Sequence, residues 1–293
     1  MRVAVLGMGR MGRALAERLL ARDFAVTVWN RTPGRADEVT ALGAAEAGDP
    51  AQAARDADAV LLSLAGDEAV REVMVRLAEV GGPIVADMST VSPDTSRALR
   101  EAAPGGRFVA APIIGGPQAV VSGQAFTLVG GDRQLVDDLR PIWAEAFSAY
   151  RYCGADPGSA VIFKLLNNYL LMSSVAVVAE VVATGLAAGV DDMLLRDFLF
   201  GWPTVPPAVH NRIDDILSGD HRGWFTTRLG AKDVRLAVDV ARSAGIDLPI
   251  AQLVERRFEE AAERGWSDAD IGAVVELLMP TGGRKRHAVP DEG

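Results

Sequence analysis

The sequence predicts an α/β domain on a mostly parallel sheet, followed by an all-α domain, the two joined by one long interdomain helix. Three observations carry this reading. Short apolar, β-branched runs alternate with helical patterns through the first half. Beyond Asp156-Pro157-Gly158 no strand pattern recurs. The helical half then opens on an almost wholly apolar run. Short apolar strands alternating with helices mark a parallel sheet covered on both faces.

In order, residues 1–6 read as a strand, 11–22 as a helix and 25–29 as a second strand. Further strands follow at 59–64, 83–87, 107–111 and 125–129, with helices between them, among them 67–80 and 93–103. The second half reads as helices over 159–188, 191–200, 206–218, 226–244, 249–264 and 267–278, punctuated by Gly189, Gly201, Gly219 and Gly245. The expected domains are therefore 1–157 and 158–280. Residues 281–293 mix Gly, Arg, Lys and Pro and read as a flexible tail.

Bulk properties narrow the function. The chain has 293 residues, 49% of them hydrophobic and 24% charged, with a net charge of -9. An acidic protein is not drawn to nucleic acid or an anionic membrane, so neither is an expected partner. One cysteine, Cys153, forms no internal disulfide and fits a reducing, cytoplasmic setting. The N-terminus lacks a signal-peptide cleavage pattern. Residues 169–190 are long enough to span a bilayer and carry only Glu180. They lack flanking basic or aromatic anchors, so they read as a core or dimer-interface helix and not as a membrane span.

Gly7-Met8-Gly9-Arg10-Met11-Gly12 fits G-x-G-x-x-G. Among 30 glycines that match is weak alone, but a strand precedes it, a helix follows and a second strand comes next. That context makes a Rossmann-type dinucleotide site. Gly7 permits the tight turn, Gly9 lets backbone amides approach a pyrophosphate, and Gly12 allows close helix–strand packing. The helix N-terminus adds partial positive charge. After the second strand an NAD site usually carries Asp or Glu for the ribose. Here the residues are Asn30-Arg31-Thr32, with Arg35 a turn later. A carboxylate would repel a 2′-phosphate, whereas Arg31 pairs with it and Asn30 and Thr32 donate hydrogen bonds. The expected cofactor is NADP(H); the alternative is a solvated loop in which Arg31 has no ligand.

Two loops follow later strands. In Asp87-Met88-Ser89-Thr90-Val91-Ser92-Pro93, Ser89 and Thr90 are placed to face a nicotinamide, while Ser92 before Pro93 reads as a helix N-cap. In Pro112-Ile113-Ile114-Gly115-Gly116-Pro117, the paired glycines expose amides that can cradle a carboxylate, and equally fit a plain turn.

The most informative stretch opens the long helix. Lys164, Asn167 and Asn168 stand at i, i+3 and i+4 and share a face among apolar neighbours. Polar groups on a buried helix face are costly without partners, and burial lowers a lysine pKa toward the range of acid–base work. The bland reading is a lysine snorkelling from a helix end. His210, His221 and His287 show no metal-ligand spacing and read as surface or helix-end residues.

Taken together, G-x-G-x-M-G, residues 87–93, the 112–116 loop, Lys164-x-x-Asn167-Asn168 and a later Phe225…Lys232-Asp233 resemble the β-hydroxyacid dehydrogenase family. That family includes 3-hydroxyisobutyrate dehydrogenases and tartronate semialdehyde and glyoxylate reductases. The resemblance implies Lys164 as catalytic acid/base, Asn168 holding substrate, and Gly115 and Gly116 binding its carboxylate. It places Thr90 at the nicotinamide, Lys232 over the cofactor, and Leu64 and Ala65 where the family has a cofactor-contacting Leu-Pro. It also implies a homodimer, or a higher homo-oligomer, around the long helix. One departure bears on substrate. The family's Asp-Ala-Pro-Val-Ser-Gly-Gly is here Ala110-Ala111-Pro112-Ile113-Ile114-Gly115-Gly116, and Ile114 cannot donate the serine's hydrogen bond. Trp202, Trp224 and Phe225 suggest a more apolar pocket.

The expected activity is hydride transfer between NADP(H) and a β-hydroxy acid or semialdehyde. The alternative is an imine or ketone reductase with a remodelled pocket; imine reductases typically lack the lysine. A non-catalytic NADPH-binding module is the third reading, and Lys164 with Asn168 speaks against it.

Overall fold

The apolar run at the N-terminus forms β1 (Arg2–Leu6), and the sheet grows from it in both directions. The computed structural model describes residues 1–279. The strands that follow are β2 (Ala25–Trp29), β3 (Ala45–Glu46), β4 (Ala59–Leu62), β5 (Ile84–Asp87), β6 (Phe108–Ala110), β7 (Ile113–Ile114), β8 (Phe126–Gly131) and β9 (Ala149–Tyr152). Their order is β3-β2-β1-β4-β5-β6-β8-β7, with β9 paired to β8. β1 pairs in parallel with β2 on one side and β4 on the other. The chain therefore reverses its direction of winding at β1, and ligands of open α/β sheets bind beyond the carboxyl ends of strands at such a switch point.

β4 and β5 are buried along their whole length, as strands covered on both faces must be. The sixth strand expected from sequence is β8, but it runs antiparallel to β6. β3 and β7 are two residues each, too short for any periodicity to show. β9 alternates tyrosines with exposed residues and carries no apolar run.

The second half is helical, with helices Pro157–Ala187, Asp192–Gly201, His210–Ser218, Thr227–Ser243 and Pro249–Ala261. The expected helix over 267–278 is instead a 3₁₀ segment, Ile271–Leu277. Gly265, at φ 100°, breaks the preceding helical run, and Asp270 recaps the chain by accepting from the Gly272 amide at 3.1 Å. The expected tail lies outside the described residues.

Two compact units divide within the long helix, after Lys164. The first has its core around Val5, Leu15, Leu61, Ile142 and Trp143. In the second, Met172, Val175, Ala179 and Val182 of the long helix pack with Ile213, Val234 and Phe258. That helix is long and apolar enough to cross a membrane, yet only 28% of its most apolar window is buried. Leu170, Val177 and Val181 are exposed. Within this chain it is not a fully buried core helix; one face packs and the other stands open.

The start of the helix is anchored from the α/β unit. Asp156 accepts from the Gly158 amide at 3.0 Å, and Arg97 on the helix Pro93–Ala102 donates to both its carboxylate oxygens. A Cβ at 158 would meet the Arg97 guanidinium at 2.9 Å, so the glycine leaves that side chain its place on Asp156. Hydrogen bonding to Arg97 holds the Asp156 carboxyl below its ordinary range. Such a group contributes stability above its unfolded-state pKa, and that contribution disappears as pH falls through the folded one. Asp156→Asn keeps the cap but loses the charge. It is expected to cost about 0.5–1 kcal/mol near neutral pH, the pair being partly exposed. The melting curves of the two proteins should converge as pH falls below about 4. A gap that persists in acid would contradict this account.

Candidate functional site

The glycine turn sits at the end of β1. Gly7 has φ 102° and donates to the Trp29 carbonyl at 2.8 Å. A Cβ on Gly7 would lie 2.3 Å from the Ser63 carbonyl oxygen, and one on Gly12 only 1.8 Å from that of Gly7. The turn and the first helical turn are thus packed backbone on backbone. Gly9 differs, because nothing lies within 4 Å of its would-be Cβ. It precedes the helix Arg10–Leu20, whose N-terminus has no side-chain cap and no acid in its first turn. Open space over a helix N-terminus that has no side-chain cap is what a diphosphate requires, so these residues fit a dinucleotide. Met8 is buried, Met11 packs on the core, and Arg10 is exposed.

Asn30 is tied into the backbone on both sides of the turn. Its Oδ1 accepts from the Met8 amide at 2.9 Å and its Nδ2 donates to the Thr32 carbonyl at 2.9 Å. The carboxamide ties the glycine turn to the end of β2. Arg31 and Thr32 are exposed, and Arg31 Nη1 lies 3.5 Å from Glu72 Oε2.

Beyond β4, the Leu64 amide donates to Ser89 Oγ at 2.9 Å, and the Ser89 amide donates to the buried Asp87 at 2.9 Å. Ser89 is itself buried and braces Leu64. Ala65 is exposed and Thr90 half-buried. Ser92 caps the next helix, accepting from the Thr95 amide at 3.1 Å, with Pro93 in the first turn.

The second loop and the lysine meet in this same unit. Ile113 and Ile114 pair with Thr127 and Phe126 of β8. Gly115 follows at φ 128°, where a Cβ would press on Ala119 and Ala125, and Gly116 precedes the short helix Pro117–Val121. Ile114 is half-buried. Lys164 Nζ donates to the Ile113 carbonyl at 2.7 Å. The lysine therefore does not snorkel into water; it reaches the loop that carries the paired glycines, and is half-buried rather than enclosed.

One helical turn on, in the helical unit, Asn168 is 2% exposed. Its Nδ2 donates to Asp233 Oδ2 at 2.7 Å, and Asn167 Nδ2 donates to its Oδ1 at 3.1 Å. Lys232 Nζ lies 3.0 Å from Asp233 Oδ1. In the sequence Asp233 stands only as the end of the Phe225…Lys232-Asp233 match, with no role given to it. The signal was present: it falls among Gly230, Ala231, Val234, Ala237 and Val238, the buried stripe of its helix. A carboxylate on such a stripe needs partners.

His221, expected at the surface, is buried, with Nε2 2.8 Å from Glu276 Oε1. It belongs to the strapping of residues 220–227, in which buried Asp270 accepts from the Trp224 and Phe225 amides and pairs with buried Arg212 at 2.9 Å. Those two aromatics are half-buried and stacked on each other, and Trp202 is exposed beside Phe198. His210 opens its helix and packs its ring on Phe200; His287 lies outside the described residues.

Comparison with known proteins agrees with this architecture. The profile of the NAD binding domain of 6-phosphogluconate dehydrogenase matches residues 2–154. That described as NAD-binding of NADP-dependent 3-hydroxyisobutyrate dehydrogenase matches residues 158–278. Glyoxylate/succinic semialdehyde reductase 1 of Arabidopsis thaliana is 29% identical, over 95% of this chain and 98% of that protein. The NAD-dependent L-serine dehydrogenase of Pseudomonas aeruginosa is 27% identical, over 96% and 99%. Mycobacterium tuberculosis 3-hydroxyisobutyrate dehydrogenase, solved with L-serine, superposes with a TM-score of 0.83 at 25% identity, over 95% and 99% of the two chains. A Streptomyces aurantiacus imine reductase gives 0.58 at 27% identity, over 96% and 100%. The chain belongs to the β-hydroxyacid dehydrogenase family, that of 3-hydroxyisobutyrate dehydrogenase, and is a nicotinamide-dependent oxidoreductase acting on CH–OH groups.

Proposed function

We propose that this protein is a cytoplasmic, NADP(H)-dependent dehydrogenase or reductase of β-hydroxy acids and their semialdehydes, with Lys164 as general acid/base. The observation that carries the reading is the 2.7 Å hydrogen bond from Lys164 to the Ile113 carbonyl, beside the paired glycines. It holds a proton donor next to the loop assigned to the substrate. When bound, the nicotinamide supplies or accepts the hydride. In reduction Lys164, protonated, gives its proton to the carbonyl oxygen; in oxidation, neutral, it takes the hydroxyl proton. The amides of Gly115 and Gly116 and the Asn168 carboxamide orient the substrate. Lys232 is assigned to the cofactor, with Gly7 to Gly12, Asn30, Arg31, Thr32, Leu64, Ala65 and Thr90. Residues 1–157 serve as the cofactor domain and 158–280 as the substrate and dimerisation domain, the open apolar face of the long helix covered by a second copy.

Preference for NADP(H) is supported by the absence of an acid after β2 and by the exposed Arg31. The Pseudomonas relative is named NAD-dependent, so the choice rests on this chain's own residues. Arg31→Gln is expected to weaken NADP⁺ binding about tenfold or more, the loss of one charged contact to a phosphate, and to leave NAD⁺ within about twofold. Ile114 supports a second reading, an imine reductase, because it removes a hydrogen bond for a substrate carboxylate. Turnover of short semialdehydes, hydroxy acids and L-serine is to be compared with that of cyclic imines, each with NADPH/NADP⁺ and NADH/NAD⁺. Activity confined to the imines reverses the assignment.

A further inference from the structure

Glu72 stands midway along the helix Asp67–Leu77, and its carboxylate lies between two guanidinium groups. Oε2 is 3.5 Å from Nη1 of Arg31, and Oε1 is 3.9 Å from Nη2 of Arg76, one turn further along the helix. Arg31 is carried there by the end of β2, which is tied to the glycine turn through Gly7–Trp29 and Met8–Asn30. One anion presenting separate oxygens to two arginines is an arrangement by which proteins hold a phosphate monoester. Here an internal carboxylate occupies it.

We propose that Glu72 is a stand-in for the cofactor's 2′-phosphate, a specificity-determining residue that moderates the preference for NADP(H) over NAD(H). The inference rests on the assignment of Arg31 to that phosphate. A phosphate arriving at Arg31 brings negative charge beside an existing carboxylate, and Glu72 must give up the guanidinium. All three side chains are substantially exposed, from 47% for Glu72 to 77% for Arg31. The ion pairs are therefore weak and the carboxylate swings aside at small cost. NAD(H), with a hydroxyl in place of the phosphate, leaves the cluster undisturbed and bears no penalty. Glu72 thus lowers discrimination without abolishing it, and its removal frees Arg31 and Arg76 together.

Isothermal titration of the full-length protein with NADP⁺ and with NAD⁺ tests this, using wild type, Glu72→Gln and Arg31→Gln at low and high ionic strength. Glu72→Gln is expected to tighten NADP⁺ about three- to tenfold, the scale of one like-charge repulsion near a protein surface. NAD⁺ should stay within about twofold, and the gain should shrink with salt. If Arg31→Gln weakens NADP⁺ while Glu72→Gln leaves it unchanged or weaker, Glu72 merely orients Arg31; the inference is then overturned and the cofactor assignment stands. If Arg31→Gln leaves NADP⁺ affinity intact, the cofactor assignment itself fails and takes the inference with it.

Discussion

Replacing Lys164 by methionine is expected to lower kcat by about 10²- to 10⁴-fold, the usual contribution of a positioned proton donor, with nucleotide affinity unchanged. Methionine keeps the length and apolar stem but cannot donate to the Ile113 carbonyl. Lys164→Arg is the sharper variant. Arginine keeps the charge and can reach a carbonyl, yet its guanidinium does not deprotonate in the working range. If the lysine only braces the 112–116 loop, arginine restores turnover; if it moves a proton, arginine is as inactive as methionine. The measurement is kcat and KM for the best semialdehyde found, with nucleotide Kd by titration in parallel. Near-normal turnover in either variant would remove Lys164 from the chemistry.

Much of this arrangement was legible in the sequence, for identifiable reasons. The glycine turn showed because Gly7 and Gly12 have no room for a Cβ, so the chain tolerates only one residue type there. Lys164 and Asn168 showed because polar residues at helical spacing interrupt an apolar run. What stayed hidden depends on partners remote in the chain. Nothing local tells that Asn30 serves the Met8 amide 22 residues away, or that Ser89 braces Leu64 across 25. A hydrogen-bonding group advertises its capacity and not its partner. His221 was misplaced for the same reason: Glu276, 55 residues on, makes its burial tolerable. The antiparallel course of β8 was equally silent, since strand direction follows from the connections and not from the apolar run itself.

Two glycine substitutions separate folding from binding at the cofactor turn. In Gly12→Ala the new Cβ falls 1.8 Å from the Gly7 carbonyl oxygen, and neither backbone segment can yield without moving β1 or the helix behind it. Overpacking of this kind costs about 1–3 kcal/mol, which lowers Tm by about 3–10 °C for a unit of this size. Nucleotide binding should fall with it, by about tenfold or more, because the displaced element is the one that presents amides to the diphosphate. In Gly9→Ala the Cβ meets nothing within 4 Å, and the backbone at φ -73° suits any L-residue. Its Tm should match wild type, while its affinity for both nucleotides falls, because the methyl group projects into the space assigned to the cofactor. Calorimetric melting and nucleotide titration on the two variants give the check. If Gly9→Ala binds as wild type does, the open space above the helix is not where the diphosphate lies. If Gly12→Ala melts normally, the backbone-on-backbone packing at the turn is looser than these distances require. The two glycines share one motif, but only Gly12 is needed to build the turn, while Gly9 keeps it open to a ligand.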